Sequence, residues 1–271
     1  MRMLRLVTFD PFRALGIPGV IYIKPELLFR ERERLSSADW VLFPEYWQLN
    51  PLIYGLGARI FPSHSSYLLG HNKVEMTRSL WSIIPEHVPA TEILPNTPSS
   101  IEQVLSQFSF PFVAKTIKSS MGQGVFLIEN RTQLHAYAAS HDSLYIQEYL
   151  PASRDLRVVW VGNQVLSAYW RISDDGGFHH NVAQGGRIDF SEVPEQPLRL
   201  VERVALKLGI DHAGFDLIEW AGHWYFLEFN VLFGNQALNA RRIPLVEQIY
   251  AYLLNRSNTP PHTPGRLPEA V

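Results

Sequence analysis

The chain of 271 residues contains no cysteine. This absence excludes disulfide bonds, thiolate zinc sites, iron–sulfur clusters and cysteine nucleophiles, so any catalytic metal would depend on oxygen or imidazole ligands. No apolar run approaches the roughly 20 residues that a membrane-spanning helix needs, and the first residues lack the apolar core of a signal peptide. We therefore expect a cytoplasmic protein.

The sequence also lacks a dominant sign of charge, with a formal net charge of -2. A chain so close to neutrality has no overall field that would draw it to nucleic acid or to an anionic membrane. Its hydrophobic fraction of 46% and charged fraction of 18% are typical of a folded globular protein. The length suffices for roughly one to three compact lobes.

The first part of the chain reads as a small α/β lobe. Apolar runs predict strands in the opening MLRLVTFD, at 40–44 and at 58–62, with helix-favouring residues at 31–34 between them. Apolar spacing near 3.6 residues predicts one helix over 66–81. The proline-rich stretch 85–100 then predicts an irregular crossing between lobes.

The rest of the chain mixes strands and helices. Ser99 and Ser100, with Gln103 placed for a capping box, predict the start of a helix. The patterns predict further helices at 131–139, 198–208 and 245–254, and strands at 110–116, 125–129, 144–149, 156–160, 165–171, 216–220 and 224–229. The expected domains are 1–71, 72–150 and 151–255, followed by a disordered proline-rich tail at 256–271.

The predicted hairpin at 216–230 carries three oxygen-bearing side chains. Glu228 and Asn230 lie two positions apart and therefore share one face of a strand. A turn at 221–222 brings Asp216 opposite them, because antiparallel pairing opposes early to late positions. Such ligands suit Mg²⁺, although solvated residues at strand ends explain the three side chains about equally well.

Lys115 ends an apolar strand, where a buried ammonium requires an anion such as a phosphate. The next segment, SSMGQG, contains Ser120, Gly122 and Gly124, and its amides could cradle phosphate. A glycine-rich β-turn is the more frequent explanation of such a loop. Neither a P-loop nor a dinucleotide-binding fingerprint fits, since no Lys-Ser, Lys-Thr or helix follows.

The segment Gln147-Glu148-Tyr149-Leu150-Pro151 closes a strand, and its freed backbone groups could pair with a purine edge. Asp155 could accept hydrogen bonds from ribose hydroxyls, but Asp155 with Arg157 could equally form a surface ion pair.

Two further positions lie beyond that segment. Arg171 could clamp a transferring phosphoryl group, with Asn181 and Gly185-Gly186 in the loop after it. A zinc site at His179 and His180 is disfavoured, because adjacent residues of a strand point to opposite faces.

In this order, the motifs resemble the ATP-grasp superfamily, and within it the RimK-like branch of ribosomal-protein glutamate ligases, with a more distant likeness to glutathione synthetases. The resemblance covers about 69–239. It implies an ATP-grasp fold, in which a small N-terminal α/β lobe precedes two α+β lobes that sandwich the nucleotide. It also implies ATP and Mg²⁺ as cofactors, with Mn²⁺ as an alternative metal.

The resemblance also assigns roles to individual residues. Arg171 and Asn181 are expected to line the γ-phosphate and the reacting acyl group, and Asp216, Glu228 and Asn230 to hold the metal. The nucleotide-binding residues are expected to be Lys73, Lys115, Ser120, Gly122, Gly124, Gln147, Glu148, Leu150, Asp155 and Leu227. The RimK-like pattern usually reads F-R-S-N with a basic residue before Gly-Gly, whereas this chain has FHHN and Gln184.

The implied activity is ATP-dependent ligation of a carboxylate to an amine through an acyl phosphate. The two missing positive charges weaken the case for glutamate addition more than the case for nucleotide binding. A small-molecule kinase on the same scaffold and a non-catalytic ATP-binding module are the alternatives. The expected partners are small-molecule or peptide carboxylates and amines, without nucleic acid or membrane, and a homo-oligomer is possible.

Overall fold

The computed structural model describes residues 3–118, 124–172 and 187–258. The strands are β1 (Leu6–Thr8), β2 (Val20–Tyr22), β3 (Trp40–Leu42), β4 (Ile60–Phe61), β5 (Thr91–Pro95), β6 (Phe112–Lys115), β7 (Val125–Ile128), β8 (Ser143–Glu148), β9 (Arg154–Val161), β10 (Gln164–Ile172), β11 (Arg187–Asp189), β12 (His212–Trp220) and β13 (His223–Asn230). The α-helices are α1 (Arg32–Ser37), α2 (His64–His71), α3 (Lys73–Trp81), α4 (Pro98–Gln107), α5 (Arg131–Ala138), α6 (Glu195–Leu208), α7 (Gln236–Ala240) and α8 (Leu245–Ser257). None of the helices in these described ranges is both long and apolar enough to cross a membrane.

These elements form two compact units. One contains the described residues of Met1–His64 and Pro244–Val271, and the other contains those of Ser65–Ile243. The predicted lobe boundaries after residues 71, 150 and 255 stay predictions.

The first unit contains a parallel sheet with strand order β2-β1-β3-β4. Its strands β1 and β3 are buried along their whole length, as expected from their apolar sequences. Strand β2 was not predicted, because it has only three residues and lies at the sheet edge with largely exposed side chains. In the same unit, α8 continues to Ser257, three residues beyond the predicted end, and Ser257 Oγ accepts a hydrogen bond of 2.8 Å from Trp40 Nε1.

The second unit contains two antiparallel sheets. The four-stranded sheet has the order β5-β8-β6-β7, and α4 and α5 contribute Val104 and Leu134 to its buried core. The five-stranded sheet has the order β11-β10-β9-β12-β13, with α6 against β9 and β10. Helix α6 buries an apolar stripe formed by Leu200, Val201, Val204 and Ala205.

Three local predictions are wrong. The expected helix over 66–81 is two helices, because Asn72 has an extended backbone and its side chain caps α3. The proline-rich crossing contains β5, whose edge position tolerates proline at Pro95. The N-cap of α4 is Thr97, whose Oγ1 accepts a hydrogen bond from Ser100 N, rather than Ser99 or Ser100.

Candidate active site on the five-stranded sheet

The hairpin β12–β13 carries the predicted oxygen ligands. Asp216 lies directly opposite Glu228, and Gly214 lies opposite Asn230. The turn residues Ala221 and Gly222 have φ of 51° and 77°, the conformation that tight two-residue hairpin turns require. The predicted pairing is confirmed, but Asp216 lies in the middle of its strand rather than at the start, because β12 begins at His212.

A cross-strand row of polar side chains extends from this hairpin. Tyr169 of β10 pairs with Arg157 of β9, Arg157 pairs with Asp216 of β12, and Asp216 pairs with Glu228 of β13. Directly paired residues point to the same face of a sheet, so these four side chains lie side by side.

Asp155, Arg157, Arg171 and Asp216 form a buried ion-pair cluster on this face. Arg157 donates to both Asp216 oxygens, at 2.5 and 3.0 Å. Arg171 donates to both Asp155 oxygens, at 2.6 and 2.7 Å, and its Nη2 lies 3.0 Å from Asp216 Oδ1. All four residues are at most 7% exposed. The surface pair of Asp155 with Arg157, one of the two alternatives, is therefore wrong.

The carboxylates of the cluster determine the state of Arg171. Burial by itself lowers the pKa of Arg171, but Asp216 and Asp155 outweigh burial and raise it. Arg171 therefore stays cationic under all ordinary conditions, as a group that stabilises anions must.

Gly214 provides the space that the Arg157 guanidinium occupies. A Cβ atom at Gly214 would lie 2.6 Å from Arg157 Nη1, 3.1 Å from its Cδ and 3.2 Å from Phe233 Cβ. Carbon atoms do not approach other heavy atoms this closely, so any other residue at 214 would displace the arginine.

Two buried lysines approach Glu228 from other elements. Lys73, the first residue of α3, places Nζ 3.4 Å from Glu228 Oε2. Lys115, the last residue of β6, donates from Nζ to the Leu227 carbonyl oxygen at 3.5 Å. Asn230 Nδ2 donates to Glu228 Oε1 at 3.2 Å. Lys73, Lys115, Leu227, Glu228 and Asn230, which the sequence assigned to one site, are therefore neighbours.

The pKa values of Lys115 and Glu228 are both shifted by burial and by the charges around them. Burial, opposed by the Glu228 charge and assisted by Lys73, lowers the pKa of Lys115 to about 8. Burial by itself raises the pKa of Glu228, but Lys73, Lys115 and the Asn230 hydrogen bond outweigh burial and lower it. Glu228 is thus an anion at neutral pH, as a metal ligand must be.

The predicted purine-binding segment lies at the end of β8. Glu148 is tied to Ala90, since its amide donates to the Ala90 carbonyl at 2.8 Å and its carboxylate accepts from the Ala90 amide at 2.7 Å. Gln147 is buried and donates to Thr91 Oγ1 at 2.8 Å. The carbonyl of Leu150 accepts a hydrogen bond from Ala152. The side chain of Glu148 is used within the protein, so its expected contact with adenine stays a prediction that rests on the backbone.

Of the predicted glycine-rich loop SSMGQG, only Gly124 lies among the described residues. Gly124 has φ of 96°, and its carbonyl accepts a hydrogen bond of 2.7 Å from Thr116 N. The other residues singled out in the two loops lie outside the described residues; they are Ser120, Gly122, His179, His180, Asn181, Gln184, Gly185 and Gly186.

The donor set fits a metal ion that binds together with an anion. Asp216, Glu228 and Asn230 supply hard oxygen atoms on adjacent strands, which suits Mg²⁺. No group of three or more His, Cys, Asp or Glu side chains is placed to hold a metal within the part of the chain that the structure describes.

Charge explains why the anion is needed. At the described site, cations outnumber carboxylates by four to three; the cations are Lys73 of α3, Lys115 of β6, Arg157 and Arg171, and the carboxylates are Asp155, Asp216 and Glu228. A bare dication would add to this positive charge, whereas a dication bound to a triphosphate would offset it.

Sequence reasoning missed several residues of this face. The contact of Arg157 with Asp216 depends on β9 lying beside β12, an order that no local pattern reveals. Tyr145 places its ring 5.9 Å from Lys115 Nζ, and its hydroxyl is 2.7 Å from Thr77 Oγ1. An apolar stretch with isolated polar residues gives no signal for such contacts.

Comparison with known proteins identifies relatives of the chain. A sequence model of the RimK-like ATP-grasp domain matches residues 67–253. A probable alpha-L-glutamate ligase of Enterobacter sp. is 28% identical over 137 residues, which are 48% of this chain and 46% of the relative. The RimK domain ATP-grasp protein of Sphaerobacter thermophilus has a TM-score of 0.70 at 16% identity, covering 92% of this chain and 99% of that one. A D-alanine–D-alanine ligase of Bacillus anthracis complexed with ATP has a TM-score of 0.68 at 13% identity, covering 94% of this chain and 97% of that one.

The structural matches cover more of the chain than the sequence matches to curated relatives do. The structural matches confirm the predicted α+β ATP-grasp fold. The sequence matches are shorter, since the chain spans about half the length of the curated relatives.

Proposed function

The chain belongs to the RimK-like ATP-grasp domain family, and from this premise we propose that it is an ATP-dependent carboxylate–amine ligase that works through an acyl phosphate. The observation that carries the proposal is the single sheet face on which Asp216, Glu228 and Asn230 adjoin four buried cations. Binding ATP alone would not require Arg171 to be held rigidly between two carboxylates beside these oxygen ligands.

In this proposal, the lysines and the strand end bind the nucleotide. Lys73 and Lys115 contact phosphate oxygens, and the backbone near Glu148 and Leu150 pairs with adenine. Asp155 accepts from the ribose hydroxyls, because a carboxylate can accept more hydrogen bonds than the two that Arg171 donates. The loop residues Ser120, Gly122 and Gly124 contribute to the phosphate site by the family resemblance, as does Asn181 to the acyl site.

The hairpin would hold the metal. Asp216, Glu228 and Asn230 would hold Mg²⁺, which when bound supplies neutralisation of the phosphate charges. Supporting this assignment, Glu228 is kept ionised and Asp216 is held in place by Arg157.

The reaction consists of two displacements. A substrate carboxylate oxygen attacks the γ-phosphorus of ATP, the bond to the β-phosphate oxygen breaks, and ADP leaves. The amine then attacks the acyl carbon, phosphate leaves with the electrons of the C–O bond, and the amine nitrogen loses a proton. Arg171 donates hydrogen bonds to the oxygen atoms that become anionic in either step. No covalent enzyme nucleophile is needed.

The substrates belong to the proposal as well. The similarity to a probable alpha-L-glutamate ligase supports an amino acid or a peptide on at least one side of the new bond. We propose an amino acid as the amine and a peptide or small-molecule carboxylate as the acid.

A phosphate-release screen tests the proposal. Amino acids and short peptides are supplied as acid and amine pairs with Mg-ATP, and phosphate and the amide product are measured. We expect phosphate release that depends on both substrates. A stable phosphorylated product without dependence on the amine would instead identify a kinase, and no turnover with any pair would contradict the proposal.

The variant Glu228→Gln provides the matching site test. It removes one negative charge at the metal-binding position and should abolish turnover while the protein still unfolds in one cooperative transition. The control is Glu219→Gln, an exposed residue on the same hairpin that should retain full activity. Normal turnover by Glu228→Gln would overturn the assignment of the metal site.

A further inference from the structure

A row of three side chains in contact extends from the candidate active site toward solvent. Tyr169, in the same cross-strand row as Arg157, has its ring centroid 5.3 Å from that of Phe190, which follows β11. The guanidinium carbon of Arg241, directly after α7, lies 4.7 Å from the centroid of the Phe190 ring. These contacts connect the reactive face to an exposed arginine through two aromatic rings.

Arg241 has the properties of a ligand-binding arginine. Its side chain is exposed, and none of its contacts with described residues is an ion pair. A guanidinium that lies on an aromatic ring keeps its N–H groups in the plane, where they can donate to a carboxylate in bidentate fashion. The ring also limits the motion of the arginine, so less conformational entropy is lost when an anion binds.

Tyr169 connects Arg241, through Phe190, to the reactive face of the sheet. Tyr169 is 4% exposed, and its ring lies close enough to Arg157 and Arg171 for their charges to act on its hydroxyl. Because Tyr169 is nearly buried, it packs behind the partly exposed Phe190 ring. A small molecule that contacts Arg171 at one end would therefore pass along the Phe190 ring to reach Arg241 at its other end.

We propose that Phe190 and Arg241, with Tyr169 packed behind the Phe190 ring, form the subsite for the amine substrate, with Arg241 binding a carboxylate of an amino acid whose amine points toward Arg171. This inference rests on the proposed ligase function and adds the position and the recognising residue of the second substrate. The Phe190 ring binds the carbon skeleton between the two polar ends.

Calorimetry on the Mg–ADP complex tests the subsite without requiring turnover. The probes are L-glutamate, its α-amide L-isoglutamine and its γ-amide L-glutamine, each titrated into wild type, Arg241→Gln and the control Arg242→Gln. Arg242 is the next residue and carries the same charge, so its replacement changes the net charge equally. Arg241→Gln should weaken binding of L-glutamate at least tenfold, as expected for a lost charge-assisted bidentate pair.

The amides identify the contact. One of the two amides lacks the carboxylate that Arg241 binds. The affinity of that amide should be the same for wild type and Arg241→Gln within about twofold, because the amide has no carboxylate at the position that Arg241 contacts. The inference is overturned if wild type does not bind L-glutamate, if Arg242→Gln weakens binding as much, or if Arg241→Gln weakens all three probes equally.

Failure of the ligase proposal would look different. In that case no acid and amine pair would release phosphate from wild type, whereas the calorimetric comparison of Arg241→Gln with Arg242→Gln would still give its own result. With an active enzyme, Arg241→Gln should raise the KM for the amine at least tenfold and leave the KM for ATP unchanged.

Discussion

At the scale of single residues, the Asp216 carboxylate pairs with two guanidinium groups, those of Arg157 and Arg171. Removing a group from water is costly, and a buried pair repays the cost only when its geometry is good. Here Arg157 binds Asp216 through two hydrogen bonds while Arg171 binds Asp155 in the same manner. Each charge of the cluster is therefore compensated only while all four are present.

The replacement Asp216→Asn tests this dependence. Loss of the carboxylate leaves Arg157 buried without its bidentate ion pair, so we expect the free energy of unfolding to fall by about 3–5 kcal/mol. Urea unfolding measures the change, which should appear as a lower midpoint with an unchanged m-value. The exposed Glu219→Gln on the same strand should change stability by less than about 0.5 kcal/mol. A similar small change for Asp216→Asn would show that the cluster contributes little.

The candidate site was predictable where a single strand or hairpin determined it. Glu228 and Asn230 share a face because side chains alternate along a strand, and the turn opposes Asp216 to Glu228. The contact between Arg157 and Asp216 was not predictable, because it depends on a pairing between β9 and β12, some 60 residues apart. The need for glycine at 214 follows from the same pairing, since the arginine lies over it.

At the scale of elements, the break between α2 and α3 shows how one polar residue overrides an apolar pattern. The spacing of apolar residues continues through Asn72, so periodicity alone predicts one helix. The Asn72 side chain instead accepts hydrogen bonds from Val74 N at 2.9 Å and Glu75 N at 3.4 Å and begins a new helix. This start places Lys73 at the first position of α3, beside Glu228.

The cap can be tested by substitution. Asn72→Ala removes the acceptor for two amides at the start of α3, and we expect a loss of about 1 kcal/mol in the free energy of unfolding. Asn72→Asp keeps a capping oxygen and should retain most of the stability, which makes it the matched control. Equal losses for both variants would indicate that the amides are satisfied in another way.

Strand β5 shows the opposite case, in which turn-forming residues conceal a regular element. Proline at 89, 95 and 98 favours an irregular segment, yet Thr91–Pro95 pairs with β8 in register. An edge strand needs hydrogen bonds on one side only, so a proline at its end costs little. Whether residues 91–95 form a strand depends on the presence of β8 beside them, which the local sequence does not show.

At the scale of the whole molecule, the charge of the site differs from that of the chain. The chain has a formal net charge of -2, whereas the described site has four cationic side chains, two of them on α3 and β6, against three carboxylates. An anionic nucleotide is therefore attracted by this site at short range and not by the protein as a whole. Binding of ATP should thus appear as stabilisation of the native state against unfolding.

Lys115→Met tests that linkage. Because burial already disfavours the Lys115 ammonium, a methionine of similar length should leave the unliganded protein at least as stable as wild type. For wild type, Mg-ATP at about 100 times its Kd should add about 2.7 kcal/mol, which raises Tm by roughly 5–10 °C in a protein of this size. The variant should lose most of this shift, while the exposed Lys207→Met should keep it. An unchanged shift in Lys115→Met would remove Lys115 from the phosphate site, because an ammonium that contacts ATP cannot be replaced by a thioether without loss of affinity.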